Sequence, residues 1–263
     1  MKIVVCAKFV PDATADRRFR SEDNTVDRAG VDGLLSELDE YAVETALTVK
    51  EAGDAEVTVL TVGPEQAADA VKKGLQMGAD AGVHVIDDAI HGSDAVATSL
   101  ILSKALAKLE ADLVVFGMGS TDGGMGVVPA MVSERLGLPA VTLGSEVTVD
   151  GQTVRIRRDG DTASETIEGT LPLVLSVSDQ ANEPRYPSFK GIMAAKKKPV
   201  ETWSLADLEL TPDQLGQVGG SSAWTEVVEV TARPARTAGT IVTDEDGSGA
   251  GQLVEFLSTN KFL

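Results

Sequence analysis

The sequence predicts an α/β fold on a mostly parallel, Rossmann-like sheet, extended by an antiparallel hairpin and a long C-terminal arm. Three observations carry this. Short β-branched runs recur at residues 3–7, 57–61, 83–86, 113–117 and 173–177, and their continuous apolar character suits strands covered on both faces. Helical patterns lie between them: Ala42, Val43, Ala46 and Leu47 share one face near 38–51, and Val96, Leu100, Ser103 and Leu106 share another near 93–109. Two more helices are expected over 65–77 and 126–137, the second stopped by Gly137 with Pro139 beyond. Alternating strand and helix points to a parallel sheet with crossover connections.

From about residue 145 the texture changes. Val147-Thr-Val149 and Val154-Arg-Ile-Arg157 alternate apolar and polar around Asp150-Gly151, which predicts an antiparallel hairpin with no chemistry of its own. After Val177 the chain turns irregular, with Pro184, Pro187, Pro199 and Pro212, the linker Gly219-Gly-Ser-Ser222 and the loop Asp246-Gly-Ser-Gly249. The expected division is an α/β domain over 1–190 and, over 191–263, an arm without an obvious core that wraps the main domain or a partner.

Composition narrows the function. The 263 residues carry 23 Lys and Arg against 41 Asp and Glu, a net charge of −18. Such a surface repels a phosphate backbone, so nucleic acid is not an expected partner. It also suits a protein of a high-salt environment, where salt screens carboxylate repulsion. The single cysteine cannot form an internal disulfide, and with two histidines the chain is short of ligands for a Cys/His zinc site. No apolar run approaches the ~20 residues that span a bilayer, and the opening MKIVVCAKFVPD turns polar early. A cytoplasmic protein without membrane insertion is expected.

The richest stretch for chemistry is Gly117-Met-Gly-Ser-Thr-Asp-Gly-Gly-Met-Gly-Val-Val-Pro129. It leaves a predicted buried strand and enters a predicted helix, so glycine-permitted backbone N–H groups and a helix N-terminus could together cradle a phosphate. Open α/β sheets bind ligands at such strand ends. The stretch is neither G-x-G-x-x-G nor a Walker loop. Cys6 reads as a small buried hydrophobe, and His84 and His91 as surface or strand-end residues. Phe189 is expected outside any helix or strand, because Pro187, Ser188 and Gly191 surround it. Gly247-Ser-Gly-Ala-Gly251, beside acidic Asp244-Glu-Asp246, reads as a solvated loop. No nucleophile elbow, Cys/His pair or H-E-x-x-H is present, so no catalytic residue is assigned.

One segment opposes the charge of the rest. Arg185 to Lys198, RYPSFKGIMAAKKK, holds five basic residues and no acidic one. Phe189, Ile192 and Met193, with Lys190, Lys196, Lys197 and Lys198 around them, make a candidate docking surface, in which charge steers and an apolar anchor holds.

These motifs together resemble the beta (small) subunit of the electron-transfer flavoproteins. The resemblance rests first on Asn182-Glu-Pro-Arg-Tyr-Pro187 followed by Ile192-Met-Ala-Ala-Lys-Lys-Lys198, and on Arg155-Ile-Arg-Arg-Asp-Gly160 through Glu165 to Leu171-Pro-Leu-Val174. It extends through Met1 to Asp12, Leu38-Asp-Glu-Tyr-Ala42, Thr61-Val-Gly-Pro64, Gly78-Ala-Asp80, Ser133-Glu-Arg-Leu-Gly137 and Arg236-Thr-Ala-Gly239. The chain departs from the family where Gly119-Ser-Thr-Asp-Gly-Gly-Met-Gly-Val127 lacks two Gln amides and a second Asp, where Ser36-Glu37 replaces an Asn-Pro, and at Ala13, where an aromatic is common.

The resemblance implies an adenine nucleotide alpha hydrolase-like fold and a heterodimer with an alpha subunit that holds or shares the redox FAD. In this chain it implies AMP or a second FAD, against Cys6, Ser36, Leu38, Asp39, Val62 and the loop Gly119, Ser120, Thr121, Asp122, Gly123, Gly124, Met125, Gly126, Val127 and Val128. It makes the basic segment a recognition loop for acyl-CoA dehydrogenase or a similar flavoenzyme, with Phe189 where a Leu is common, and sends electrons to a quinone oxidoreductase and the respiratory chain. The rival readings are a stand-alone adenine-nucleotide-binding α/β protein of the stress-protein type, and an ATP-dependent ligase or hydrolase, which would want a clearer phosphate-activating motif.

Overall fold

The computed structural model describes residues 1–236, 238–244 and 246–263, in two compact units, Met1–Val228 and Glu229–Leu263. Thr237 of the Arg236–Gly239 motif and Glu245 of the acidic run lie outside the described residues.

In the first unit, seven parallel strands form one sheet in the order β12-β5-β4-β1-β6-β11-β7. They are β1 (Lys2–Cys6), β4 (Glu56–Val62), β5 (Ala81–Val85), β6 (Leu113–Gly117), β7 (Ala140–Gly144), β11 (Leu173–Val177) and β12 (Val200–Trp203). The five expected strands are all present, within one to two residues of their predicted limits. Their side chains alternate between two apolar layers. Ile3, Val5, Val57, Val59, Leu113 and Leu173 pack under α1 (Glu37–Ala52) and α2 (Ala68–Met77). Val4, Cys6, Leu60, Val83, Val114 and Val174 pack under α3 (Ala95–Leu109) and α4 (Val128–Leu136). Coverage on both faces is why these runs carry no polar alternation.

The helix ends follow local chemistry. The Asp94 carboxylate accepts from the Val96 and Ala97 amides to start α3, and Gly137, at φ +64°, ends α4 where expected. Glu37, Asp39 and Glu40 occupy the first turn of α1 and Lys50 its last, matching the helix dipole.

The predicted hairpin is β8 (Glu146–Asp150) and β9 (Thr153–Asp159); Asp150 pairs with Thr153, so Gly151-Gln152 forms the loop, one residue later than the predicted turn. A third strand, β10 (Ser164–Thr170), pairs along β9. Val154 and Ile156 reach the main core, while Arg155 pairs with Glu168 on the outer face and Arg158 pairs with Glu165 across the two strands. A small ribbon, β2 (Phe9–Pro11) with β3 (Gly33–Leu35), leads from β1 to α1.

Two expectations about the chain after Val177 need correcting. First, Phe189, expected outside any helix or strand, starts a helix, and the chain after it packs on the main domain. Helix α5 (Phe189–Ala195) begins at Phe189, because the Ser188 hydroxyl caps it by accepting from the Gly191 amide at 3.0 Å; β12 then adds the edge beside β5, and Trp203, Leu205, Leu208 and Val218 enter the second apolar layer. A short helix, α6 (Pro212–Leu215), follows. Second, in the other unit Gly249 starts a helix, α7 (Gly249–Thr259), where a solvated loop was expected. His84 lies at the end of β5, as one of its two readings had it, but it is buried, its ring Nε2 3.0 Å from the Gly63 carbonyl oxygen. His91 is a surface residue paired with Asp23.

Candidate functional site

Strand order decides where a ligand can sit. From β1 the chain moves through α1 to β4 and β5 on one side, then crosses through α3 to β6 on the other. The connections therefore diverge between β1 and β6, and the carboxyl ends of those strands open a crevice, the usual ligand position in open α/β sheets.

Asp39 stitches this crevice together. From the first turn of α1, its buried carboxylate accepts the Lys8 amide at 2.8 Å and the Gly117 amide at 3.3 Å, tying the helix to the ends of β1 and β6. Burial pushes its carboxyl pKa up to about 7, against the two amides and Lys8, which favour the anion. Gly117 is required by packing: a Cβ there would lie 2.5 Å from the Leu38 carbonyl oxygen. Ser36 precedes α1 with its amide on the Lys8 carbonyl, and Leu38 is half-buried beside it.

The glycine loop closes on itself. Gly124 and Gly126 adopt φ +64°, the left-handed region that favours glycine. The Gly124 amide donates to the Ser120 carbonyl at 2.8 Å, and the Gly123 amide to the Asp122 carboxylate at 2.7 Å. Asp122 is only 4% exposed, and it also accepts from Lys8 Nζ at 2.8 Å and from Arg28 at 2.6 Å. Burial opposes its charge, yet the ammonium and guanidinium hold its carboxyl well below the usual range. Met125, Gly126, Val127 and Val128 carry the loop into α4, with Met125 and Gly126 exposed and Val127 and Val128 half-buried. On the α3 and α4 side, Cys6 is buried and Val62 half-buried; burial, with Asp39 adding, raises the Cys6 thiol well above its ordinary value, so it is neutral.

Three buried hydroxyls around these strand ends have no hydrogen-bond partner: Ser36 Oγ, Thr61 Oγ1 and Thr121 Oγ1. Orphaned buried hydroxyls are unfavourable and want an explanation, and a polyoxygen ligand supplies one. With two cations and a glycine loop, the donor set fits a nucleotide phosphate.

The docking candidates form a separate surface. Phe189 is 81% exposed at the start of α5, Met193, Lys190, Lys196 and Lys197 are exposed beside it, and Ile192 is half-buried. Lys198 turns inward, its Nζ donating to the Leu75 carbonyl at 3.0 Å. The segment is fastened to α1: Arg185 donates to both Glu44 carboxylate oxygens at 2.8 Å and reaches Glu51, while Asn182 donates to the Tyr41 carbonyl at 3.0 Å. Lys8, Arg28 and Thr61 were not among the residues expected at the site. Lys8 stood in sight at the end of the first strand; Arg28, in an irregular stretch 94 residues from Asp122, gave no signal.

The fold and crevice thus define a Rossmann-like α/β protein whose ligand position lies at the β1/β6 divergence. Residues 23–208 match the family model described as the electron transfer flavoprotein domain. The chain is 46% identical to the electron transfer flavoprotein subunit beta of Mycobacterium tuberculosis over 99% of both chains. It is 34% identical to that of Clostridium acetobutylicum and 31% identical to that of Megasphaera elsdenii, over the full length of each. The chain belongs to the electron transfer flavoprotein family, among its beta subunits. No helix of the described residues is long and apolar enough to cross a membrane.

Proposed function

We propose that the chain is the nucleotide-binding half of a heterodimer with an electron-transfer flavoprotein alpha subunit, the two acting in the cytoplasm as an electron carrier. The carrying observation is the set of orphaned buried hydroxyls, Ser36, Thr61 and Thr121, on the segments that end or follow β1, β4 and β6, where strand order favours a ligand. In this reading an adenine nucleotide lies across the ends of β1, β4 and β6. Its phosphates meet the loop from Gly119 to Val128, and its other polar atoms meet residues 36–39. The ligand is AMP, which is structural, or a second FAD, which supplies electron transfer when bound. The chain's own residues bind, orient and exclude water; none is required as an acid or base, which suits a carrier.

Flavin dehydrogenases such as acyl-CoA dehydrogenases are the proposed donors, docked at Phe189, and a quinone oxidoreductase leading to the respiratory chain the proposed acceptor. Lys190, Lys196 and Lys197, exposed around Phe189 on a chain of net charge −18, support a transient, charge-steered contact there. Of the arm expected over 191–263, residues 200–218 are committed to the chain's own sheet, so the unit Glu229–Leu263 is the part proposed to meet the alpha subunit. Its exposed Leu253, Val254 and Phe256 support that reading. Mass spectrometry of the ligand released from the purified two-subunit complex tests it: AMP or FAD at one equivalent beyond the alpha-subunit flavin is expected, and an empty crevice would overturn it.

A further inference from the structure

The strongest unexplained feature is the company kept by Asp122. Its carboxylate is nearly sealed from solvent and receives Lys8 Nζ at 2.8 Å, Arg28 at 2.6 Å and the Gly123 amide at 2.7 Å. A lysine, an arginine and a glycine-loop amide converging on one small anion are the donors that proteins use for phosphate. Ser120 Oγ completes the set, 3.3 Å from both Lys8 Nζ and the Gly123 amide.

Both cations keep a way out. The Lys8 side chain is 42% exposed and that of Arg28 26% exposed, whereas Asp122 is 4% exposed. The Lys8 amide is held by Asp39, and the Arg28 guanidinium keeps a second acceptor, donating through Nη1 to the Phe9 carbonyl at 3.2 Å. The Lys8 ammonium can therefore pivot about an anchored stem, and the Arg28 guanidinium can exchange the Asp122 acceptor at Nη2 while Nη1 stays on Phe9, without unfolding the crevice. Beside them, Thr121 Oγ1 is buried and lacks a partner, so the loop in this conformation leaves one of its own polar groups unmatched.

We propose that Asp122 is a built-in stand-in for a ligand phosphate, and that nucleotide binding transfers Lys8 and Arg28 from its carboxylate to the phosphate oxygens. The inference rests on the nucleotide reading above and adds to it the residues that neutralise the phosphate and the group they leave. It makes Asp122 a competitor that keeps the loop closed and the cations paired while the crevice lacks nucleotide. A purely structural pin makes the opposite prediction, because weakening a pin weakens binding.

The test uses the two-subunit complex stripped of nucleotide, with AMP and FAD titrated separately by calorimetry. Asp122→Asn keeps the shape and an acceptor for Gly123 while removing the charge; it should tighten nucleotide binding by roughly tenfold, the scale of one charge-assisted hydrogen bond. Lys8→Met and Arg28→Gln should each weaken it by a similar factor and flatten its salt dependence. An Asp122→Asn complex that is as stable as the parent yet binds nucleotide no better, or worse, overturns the exchange. Should that variant fail to assemble, Asp122→Ser and the two cation variants decide: unchanged affinity when Lys8 or Arg28 is lost also overturns it. If the parent complex binds neither nucleotide, the underlying reading fails, and the exchange with it.

Discussion

Replacing Phe189 with Ala separates docking from folding, because the two respond to different surroundings of one side chain. A phenylalanine offers about 200 Å², and with 81% exposed nearly all of it is free in this chain. At about 25 cal/mol/Å² the exposed part represents up to ~4 kcal/mol for a partner that buries it fully, while the covered remainder contributes about 1 kcal/mol to folding. Docking anchors rarely realise the whole ceiling; ~2 kcal/mol, about thirtyfold in affinity, is the central expectation. Ser188, which starts α5 through its hydroxyl, is untouched, so the helix persists. The assay is dehydrogenase-dependent reduction of the two-subunit complex over a range of dehydrogenase concentration, with urea unfolding and nucleotide content measured on the same preparation. The half-saturating dehydrogenase concentration should rise about thirtyfold, with nucleotide content unchanged and stability lower by no more than about 1 kcal/mol. An unchanged rate curve, or a loss in step with unfolding, would refute the docking assignment.

Three further outcomes are expected. Burial pushes the Asp39 carboxyl pKa up to about 7 in the fold against an ordinary 3.8, so its neutral form is the one the fold favours; its contribution is fully present below about pH 4 and is lost as pH rises toward 7, by about 4 kcal/mol at most. Urea unfolding of Asp39→Asn against the parent from pH 4 to 7.5 should show the gap moving steadily in the variant's favour, and a constant gap would contradict the assignment. Gly126→Val places a β-branched residue at φ +64° with its Cβ 3.1 Å from the Met118 carbonyl oxygen, which should distort the loop and lower the nucleotide released on denaturation to a small fraction of the parent's; full retention moves the site elsewhere. Arg185→Gln leaves Glu44, whose side chain is 10% exposed, without its bidentate partner, so stability should fall by about 1–3 kcal/mol and dehydrogenase affinity should fall as well, whereas a loss of stability with docking unchanged would mean that α1 does not position the segment.

What could be read in advance depended on how many residues carried each signal. The central strands were legible because a strand covered on both faces must be apolar throughout, as Leu113-Val-Val-Phe116 is. The edge strand β12 was not, since Val-Glu-Thr-Trp is four residues long and has only one covered face. Helix α5 was hidden by Gly191 in its first turn, and that glycine has a packing reason: a Cβ there would lie 2.5 Å from the Gln76 carbonyl oxygen at the end of α2. The glycine loop announced itself through composition. Its ion pairs did not, because Lys8 and Arg28 meet Asp122 across 114 and 94 residues of sequence, and no local pattern records a contact of that range.

The course of the chain between β11 and β12 bears on how a partner is received. It leaves a strand beside one edge of the sheet and re-enters at the opposite edge, having passed β6, β1, β4 and β5. On the way it is fastened to α1 by Asn182 and Arg185 and to α2 by Lys198. The aromatic ring of Phe189 is thus carried on a strap buckled at both ends rather than on a free tether. Its conformational freedom is surrendered when the chain folds, not when a partner arrives, so less of the contact energy goes into ordering the segment. Under the proposed docking, a flavoenzyme gripping that ring would also be held at a fixed bearing to the β1/β6 crevice, because the same seven strands anchor both.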